Sequence, residues 1–237
     1  QHPGGTQGVG RVHVGDPNEV VGITAFSNSS ALMNTAKIDG REVTSAVTVL
    51  RFTVDGRSPH LISDGSPSCK SLAPNSIGVR PHKGGCELYL NESHTGSDLG
   101  IVKIEVQYLN FTTQFPVRIW DPISYNWTST DSTLSKISKW ILKIQNCAPI
   151  YQRAGFGVMA SFASKGKASI DFPILSLILA SDNLRITTDN QTILQVDDTT
   201  RRVIGKSPGR AQLYVEDKRS DRKIDRFGST VYTVTDD

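Results

Sequence analysis

The chain holds no uninterrupted apolar run of the roughly 20 residues that a helix needs to cross a bilayer. Its best candidate, PILSLILA (Pro173 to Ala180), is far too short. A secretory leader pattern is missing as well, so a secreted or membrane-anchored parent would carry both segments outside this sequence. There is no amphipathic helical pattern of ordinary length. The formal net charge is only +3, and the basic residues neither fill a helix face nor interleave with aromatics, so no nucleic-acid surface is expected.

Catalytic and metal-binding constellations are equally thin. The histidines (His2, His13, His60, His82, His94) show neither metal-ligand spacing nor a nearby carboxylate or Cys companion. Asp197-Asp198 and Asp236-Asp237 lack the alternating oxygen ligands of a calcium loop and read as turn chemistry. Gly205-Lys206-Ser207-Pro208-Gly209 matches the G-x-S-x-G nucleophile elbow on paper. That elbow needs a strand-to-helix turn and a backbone N–H after the nucleophile. Pro208 has no N–H, and a strand pattern follows, so a structural turn is the better reading than a hydrolase built on Ser207. The same Gly205-Lys206-Ser207 resembles the end of a phosphate loop, but the first Gly of that motif falls on Thr200. No cofactor, no metal and no enzymatic activity are expected.

What is present is β structure. Apolar and charged fractions are ordinary for a globular chain, and the length suits one or two domains. In IVKIEVQYL (Ile101 to Leu109), Val102, Ile104, Val106 and Tyr108 share one face and Lys103, Glu105 and Gln107 the other. In TSAVTVLRFTV (Thr44 to Val54), Leu50, Phe52 and Val54 alternate with Arg51 and Thr53, which predicts a half-buried strand. EVVGITAF (Glu19 to Phe26) is the first strand candidate and GSTVYTVTD (Gly228 to Asp236) the last. Ala154, Phe156, Val158, Ala160 and Phe162 would share a strand face, and a helix would scatter them. Thr192 to Asp217 reads as three short strands parted by an Asp-rich turn and a Pro-Gly turn. LSKISKWIL (Leu134 to Leu142) fits one helical turn or a strand, with strand preferred and Ile137, Trp140 and Ile141 as core. Short strands and turns at this spacing argue for β-sandwiches.

The organising stretch is Phe115 to Phe162. Pro116 and Pro122 bracket FPVRIWDP, and each is expected at a strand edge or end because proline gives the ladder no donor. The expected organisation is all-β: a flexible lead-in over 1–15, a first β-sandwich over 16–120 and a second over 121–237. Trp120, Asp121 and Pro122 form the joint.

The N-x-[ST] sequon occurs at Asn28, Asn91, Asn110, Asn126 and Asn190, about half of the asparagines, and none has Pro in the middle position. That density predicts an extracellular surface bearing N-linked glycans. Cys69 and Cys86 flank a short polar loop and are expected to bridge in an oxidising compartment, which would stabilise by about 3 kcal/mol in the chain-entropy model. Cys147 is left over, either as a buried thiol or as a bond to another chain or to a segment outside this sequence. Late in the chain, Arg201, Arg202, Lys206, Arg210, Lys218, Arg219, Arg222, Lys223 and Arg226 outnumber Glu216, Asp217, Asp221 and Asp225. Arg219, Arg222 and Lys223 are candidates for an anionic partner such as a sulfated glycan; a solvated hairpin is the plainer alternative.

NTAKIDGREV (Asn34 to Val43), the Cys69 to Cys86 segment, VRIWDP, LSKISKW, CAPIYQRA and the terminal VYTVTDD follow in one order, with Trp140, Cys147, Tyr151 and Gln152 the most specific positions. In these the chain, from Leu32 onward, resembles the ectodomain of the transmembrane protein 132 family. The resemblance implies part of a single-pass type I membrane protein at the cell surface. Its ectodomain would string together immunoglobulin-like, bacterial-immunoglobulin-like and cohesin-like modules, and this chain would be two adjacent ones: an immunoglobulin-like sandwich over 16–120 and a bacterial-immunoglobulin-like sandwich over 121–237. It further implies adhesion coupled, notably in neurons, to an actin-regulatory complex through a cytoplasmic tail absent here, and no catalytic motif. The leading expectation is therefore cell-surface recognition of a protein partner, homophilic or not; the alternative is a glycan-binding or matrix module using the basic cluster.

Overall fold

The structure, a computed structural model, describes residues 16, 18–54, 56, 59–62, 67–82, 84–95, 100–137 and 150–236. The lead-in over 1–15, Trp140, Ile141 and Cys147 lie outside the described residues. Along the chain run β1 (Val20–Ser27), β2 (Ala31–Met33), the short α1 (Ala36–Asp39), β3 (Val43–Thr53), β4 (His60–Leu61), β5 (Ser68–Ser71), β6 (Gly78–His82), β7 (Gly85–Leu90), β8 (Ile101–Tyr108) and β9 (Phe111–Ser129). Then follow β10 (Thr133–Ser135), β11 (Arg153–Ala163), β12 (Ile170–Pro173), α2 (Leu175–Ala180), β13 (Leu184–Thr188), β14 (Leu194–Asp197), β15 (Arg202–Gly205), β16 (Gly209–Asp217), β17 (Arg222–Lys223) and β18 (Ser229–Thr235).

Period-2 alternation accounts for the main strands. Val102, Ile104 and Val106 of β8 are buried while Lys103 and Gln107 face water. Ala154, Phe156, Val158, Ala160 and Phe162 of β11 are all buried. Two cores result. In the first, Val47, Val49, Leu88 and Leu90 of the β1-β3-β7-β6 sheet meet Val102, Ile104, Val106 and Val117 of β8 and β9. In the second, Phe156, Val158, Ala160 and Phe162 meet Leu213, Val215, Tyr232 and Val234 of the β10-β18-β16-β13 sheet. The fold is all-β, with sheets stacked in immunoglobulin-like fashion. PILSLILA ends β12 and forms α2, whose Leu175 and Ile178 plug the second core.

Two apolar patterns point the other way from their simplest reading. The inward residues of β3 are Ser45, Val47, Val49 and Thr53; Phe52 is 38% exposed and Val54, just past its end, 48%. Register, which a one-residue slip would invert, is set upstream by Val47 and Val49. Leu134 is fully buried in β10, but Ile137 is exposed.

The strand β9 belongs to both halves. It pairs antiparallel with β8 over Phe111 to Arg118 and antiparallel with β11 over Asp121 to Ser129. Pro116 and Pro122 therefore lie inside a strand and do not end one. Arg118 donates its backbone N–H to the Ser30 carbonyl, away from β8 (2.9 Å). Alternation points the Pro116 nitrogen to that same side, where no strand among the described residues pairs with it, so no ladder bond is lost. Pro122 sits at a register shift: Ser161 faces Ser124 and Phe162 faces Pro122, leaving Ile123 as the extra residue of a bulge.

Candidate functional site at the junction of the two cores

The residues expected to form the joint are held by a small cluster from the first half of the chain. Trp120 is buried in the second core together with Ile38 of α1. Asn34, fully buried, donates its backbone N–H to the Trp120 carbonyl (2.8 Å). Its Nδ2 lies 3.4 Å from Asp121 Oδ1 and also donates to the carbonyls of Asn91 (3.3 Å) and His94 (3.5 Å). Lys37 Nζ donates to Asp121 Oδ1 at 2.8 Å, with side chains 26% and 17% exposed. An ion pair this shielded is screened less than a surface pair. Gly40, at φ 78°, closes α1 by donating to the Ala36 carbonyl, a left-handed cap that glycine adopts without a Cβ penalty. The tight turn is what presents Lys37 and Ile38 to the other half.

Three further straps cross the junction. Arg226 donates to the Ile38 carbonyl (3.3 Å). Arg41 donates to the Ala180 carbonyl and stands 3.7 Å from Asp182. Arg118 donates to Ser164 Oγ (3.2 Å) and to the Lys165 carbonyl (3.2 Å), while Ser164 Oγ donates to the Gly100 carbonyl (3.2 Å). Gly100 has φ +64°, and a Cβ there would fall 2.6 Å from the Lys165 nitrogen. Only glycine permits that approach. A cavity of about 170 Å³ opens beside these straps, lined by Asp39, Glu92, Asn183, Asp217, Arg219 and Arg226 among others. Trp120, Asp121 and Pro122 stand out in the sequence, whereas Asn34, Lys37, Gly100, Arg118 and Ser164 do not. Their contacts span tens of residues and leave no local pattern.

The other predicted positions lie away from this cluster. Cys69 and Cys86 are bonded, with Cα atoms 6.2 Å apart, and link β5 to β7 across the first core. Asn28, Asn110 and Asn126 are exposed, the last near the C-terminal end of β9. Asn91 and Asn190 are half-buried. In each of these two the Oδ1 accepts both the backbone N–H and the hydroxyl of the sequon's last residue, Ser93 (3.1 and 2.7 Å) or Thr192 (3.1 and 2.6 Å). Arg219, Arg222 and Lys223 are exposed on the β16–β17 hairpin among Asp217, Asp221 and Asp225. Lys223 Nζ lies 5.8 Å from the Tyr214 ring centroid, and Arg222 faces Asp217 in the ladder. Lys206 and Arg210 are at the opposite end of β16, so the basic residues do not form one patch.

Ser207 lies in the turn between β15 and β16, and its hydroxyl donates to the Thr192 carbonyl (2.7 Å). A strand follows it and no helix, so the elbow geometry is not formed. Among the described residues no group of three or more His, Cys, Asp or Glu is placed to hold a metal ion, and no helix is long and apolar enough to cross a membrane.

Residues 22–124 match the family model described as the TMEM132 fourth domain. This part of the chain belongs to the TMEM132 family. The TMEM132 match ends at Ser124, inside β9 and past the Asp121 cluster. Among solved structures, the chain is similar to domains 1–6 of the surface-layer protein SbsC, at 14% identity and a TM-score of 0.41, over 94% of this chain and 29% of that one. It is also similar to the two N-terminal cadherin repeats of human protocadherin-24, at 11% identity and a TM-score of 0.28, over 92% of this chain and all of that one. A third similar structure is the eight N-terminal immunoglobulin domains of Down syndrome cell adhesion molecule, at 10% identity and a TM-score of 0.28, over 92% of this chain and 25% of that one. The chain spans under a third of the first surface-layer chains it matches. The fold assignment stands on the sheets and cores described above.

Proposed function

We propose that this chain is a rigid two-module segment of a TMEM132-family cell-surface protein, built to present a surface to a protein partner rather than to transform a substrate. The observation that carries the reading is the continuous strand β9, locked at its midpoint by Lys37, Asn34 and Asp121. A joint already ordered before contact adds little ordering cost on binding, and crossing straps restrict the hinge motion that adjacent domains otherwise show. Glycans on the five sequons would keep the surrounding surface hydrated, and the partner would be a protein on an apposed cell or a second copy of the same molecule. Family membership supports an extracellular setting in a single-pass type I protein, with adhesion passed to the actin cytoskeleton by a tail beyond this sequence. Small-angle scattering of the chain tests the mechanical core of the reading: a narrow range of interdomain angles is expected, and a broad one overturns it.

A second reading rests on Arg219, Arg222 and Lys223, which stand exposed on one hairpin. Here the segment would hold sulfated glycans of the matrix. Heparin retention that persists at physiological salt and is lost on reversing these three charges is expected of such a module. Retention lost already below that salt would mark only a screened surface attraction.

A further inference from the structure

His94 is buried, at 7% exposure, in the short loop between β7 and β8. Its Nδ1 accepts the backbone N–H of Asn91 at 3.0 Å. A ring nitrogen that accepts from a backbone amide must carry a lone pair, so this geometry requires the neutral imidazole. The ring meets Tyr89 edge-on, with centroids 5.4 Å apart. The charged groups that act on it are Glu42 and Lys37, and Arg80 covers the same Tyr89 ring at 5.0 Å. Burial holds His94 below its ordinary value, and Lys37 adds to that while Glu42 opposes it. A surface cavity of about 280 Å³, lined by Pro74, Asn75, Ser93, His94 and Thr95, gives water a path to the ring.

The loop that His94 ties shut reaches the junction directly. The carbonyls of Asn91 and His94 both accept from Asn34 Nδ2, the same group that lies 3.4 Å from Asp121. Thr95 anchors the far end of the loop by donating to the Asn75 carbonyl (2.9 Å). We propose that His94 is a pH-sensitive latch on the junction: protonating Nδ1 breaks its bond to the Asn91 amide, opens the 91–95 loop and withdraws the support that Asn34 gives to Asp121. The molecule would then be stiff at neutral pH and loose in an acidified compartment.

This inference rests on the reading of a rigid junction, and the tests separate the two. Because the native form holds the proton less tightly than the unfolded chain, stability is full above about pH 6.5 and falls as pH drops towards the native pKa. The thermal midpoint of the whole chain should fall by about 3 °C per pH unit in that window. Scattering should show a narrow interdomain distribution at about pH 7.5 and a broad one at about pH 5, where imidazole in an ordinary setting is charged. His94→Gln, whose amide oxygen can accept from Asn91 without titrating, should lose most of both responses. A distribution narrow at both pH values, or a full response in His94→Gln, overturns the latch and leaves the rigid junction standing. A distribution already broad near neutrality overturns both. Should His94→Gln not fold, imidazole NMR of the unmodified chain decides: titration at or above the ordinary histidine value overturns the proposal.

Discussion

Lys37 Nζ sits 2.8 Å from Asp121 Oδ1, joining a one-turn helix of the first half to the midpoint of the strand that serves both halves. The two side chains are 84 positions apart in sequence, yet they meet at the place where the two cores join. Asn34, which reaches the same oxygen, makes the site a cluster rather than an isolated pair.

Asp121→Asn keeps the shape and removes the charge. It should destabilise the chain by about 1–2 kcal/mol, the range for weakening a shielded charge-assisted hydrogen bond, and should widen the interdomain distribution in scattering. Lys37→Met should do the same to a similar extent. Unchanged scattering in both variants would mean that the straps through Arg118 and Arg226 suffice without the pair.

Gly100→Ala tests the second contact between the halves. The new Cβ would demand a left-handed backbone at φ +64° and would press on the Lys165 nitrogen at 2.6 Å. A loss of at least about 2 kcal/mol in urea unfolding is expected. Gly166→Ala, also left-handed at φ +73° but facing open space, should cost less and isolates the clash.

Replacing Cys69 and Cys86 together by Ser should lower stability by about 3 kcal/mol. The bond ties β5 to β7, so the first core should become the first to unfold. Limited proteolysis followed by mass analysis would locate the opening. Cleavage arising first in residues 150–236 would contradict this.

Alkaline pH gives an independent check on the second core. Burial raises Tyr125, Tyr151, Tyr214 and Tyr232 above the usual tyrosine value, and Asp236 adds to the effect at Tyr151. The unfolded chain therefore gives up these protons first. The stability that they contribute is present below about pH 10 and is lost as pH rises through the native values. Tyrosinate absorbance from these four rings should emerge together with loss of the folded circular dichroism signal. Full ionisation of all four in a chain that still shows native dichroism would show the rings to be accessible.

Much of the fold could be read from the sequence because alternation is local. Val102 to Val106 and Ala154 to Phe162 announce their faces within a few residues, and Asp197 to Arg201 and Lys206 to Pro208 announce turns. The outward placement of Phe52 and Val54 was hidden because both faces of β3 carry apolar residues. The prolines were legible only in part: Pro116 stands on the unpaired side of β9, as an edge proline does, but neither it nor Pro122 ends the strand, and at Pro122 a bulge excuses the missing N–H. Trp120 to Pro122 could be singled out from the sequence because a Trp, an acid and a Pro stand together there. Their partners could not, since Asn34, Lys37 and Ser164 look like ordinary surface residues until the chain returns to meet them.

The sharing of β9 has a mechanical consequence. A pull between the outer ends of the two modules would load the β8 ladder on one half of β9 and the β11 ladder on the other. Under lengthwise traction the hydrogen bonds of such a ladder resist together, as in a lap joint, instead of peeling one by one. Force spectroscopy should therefore record a single high-load rupture, with no early low-force extension from a yielding linker.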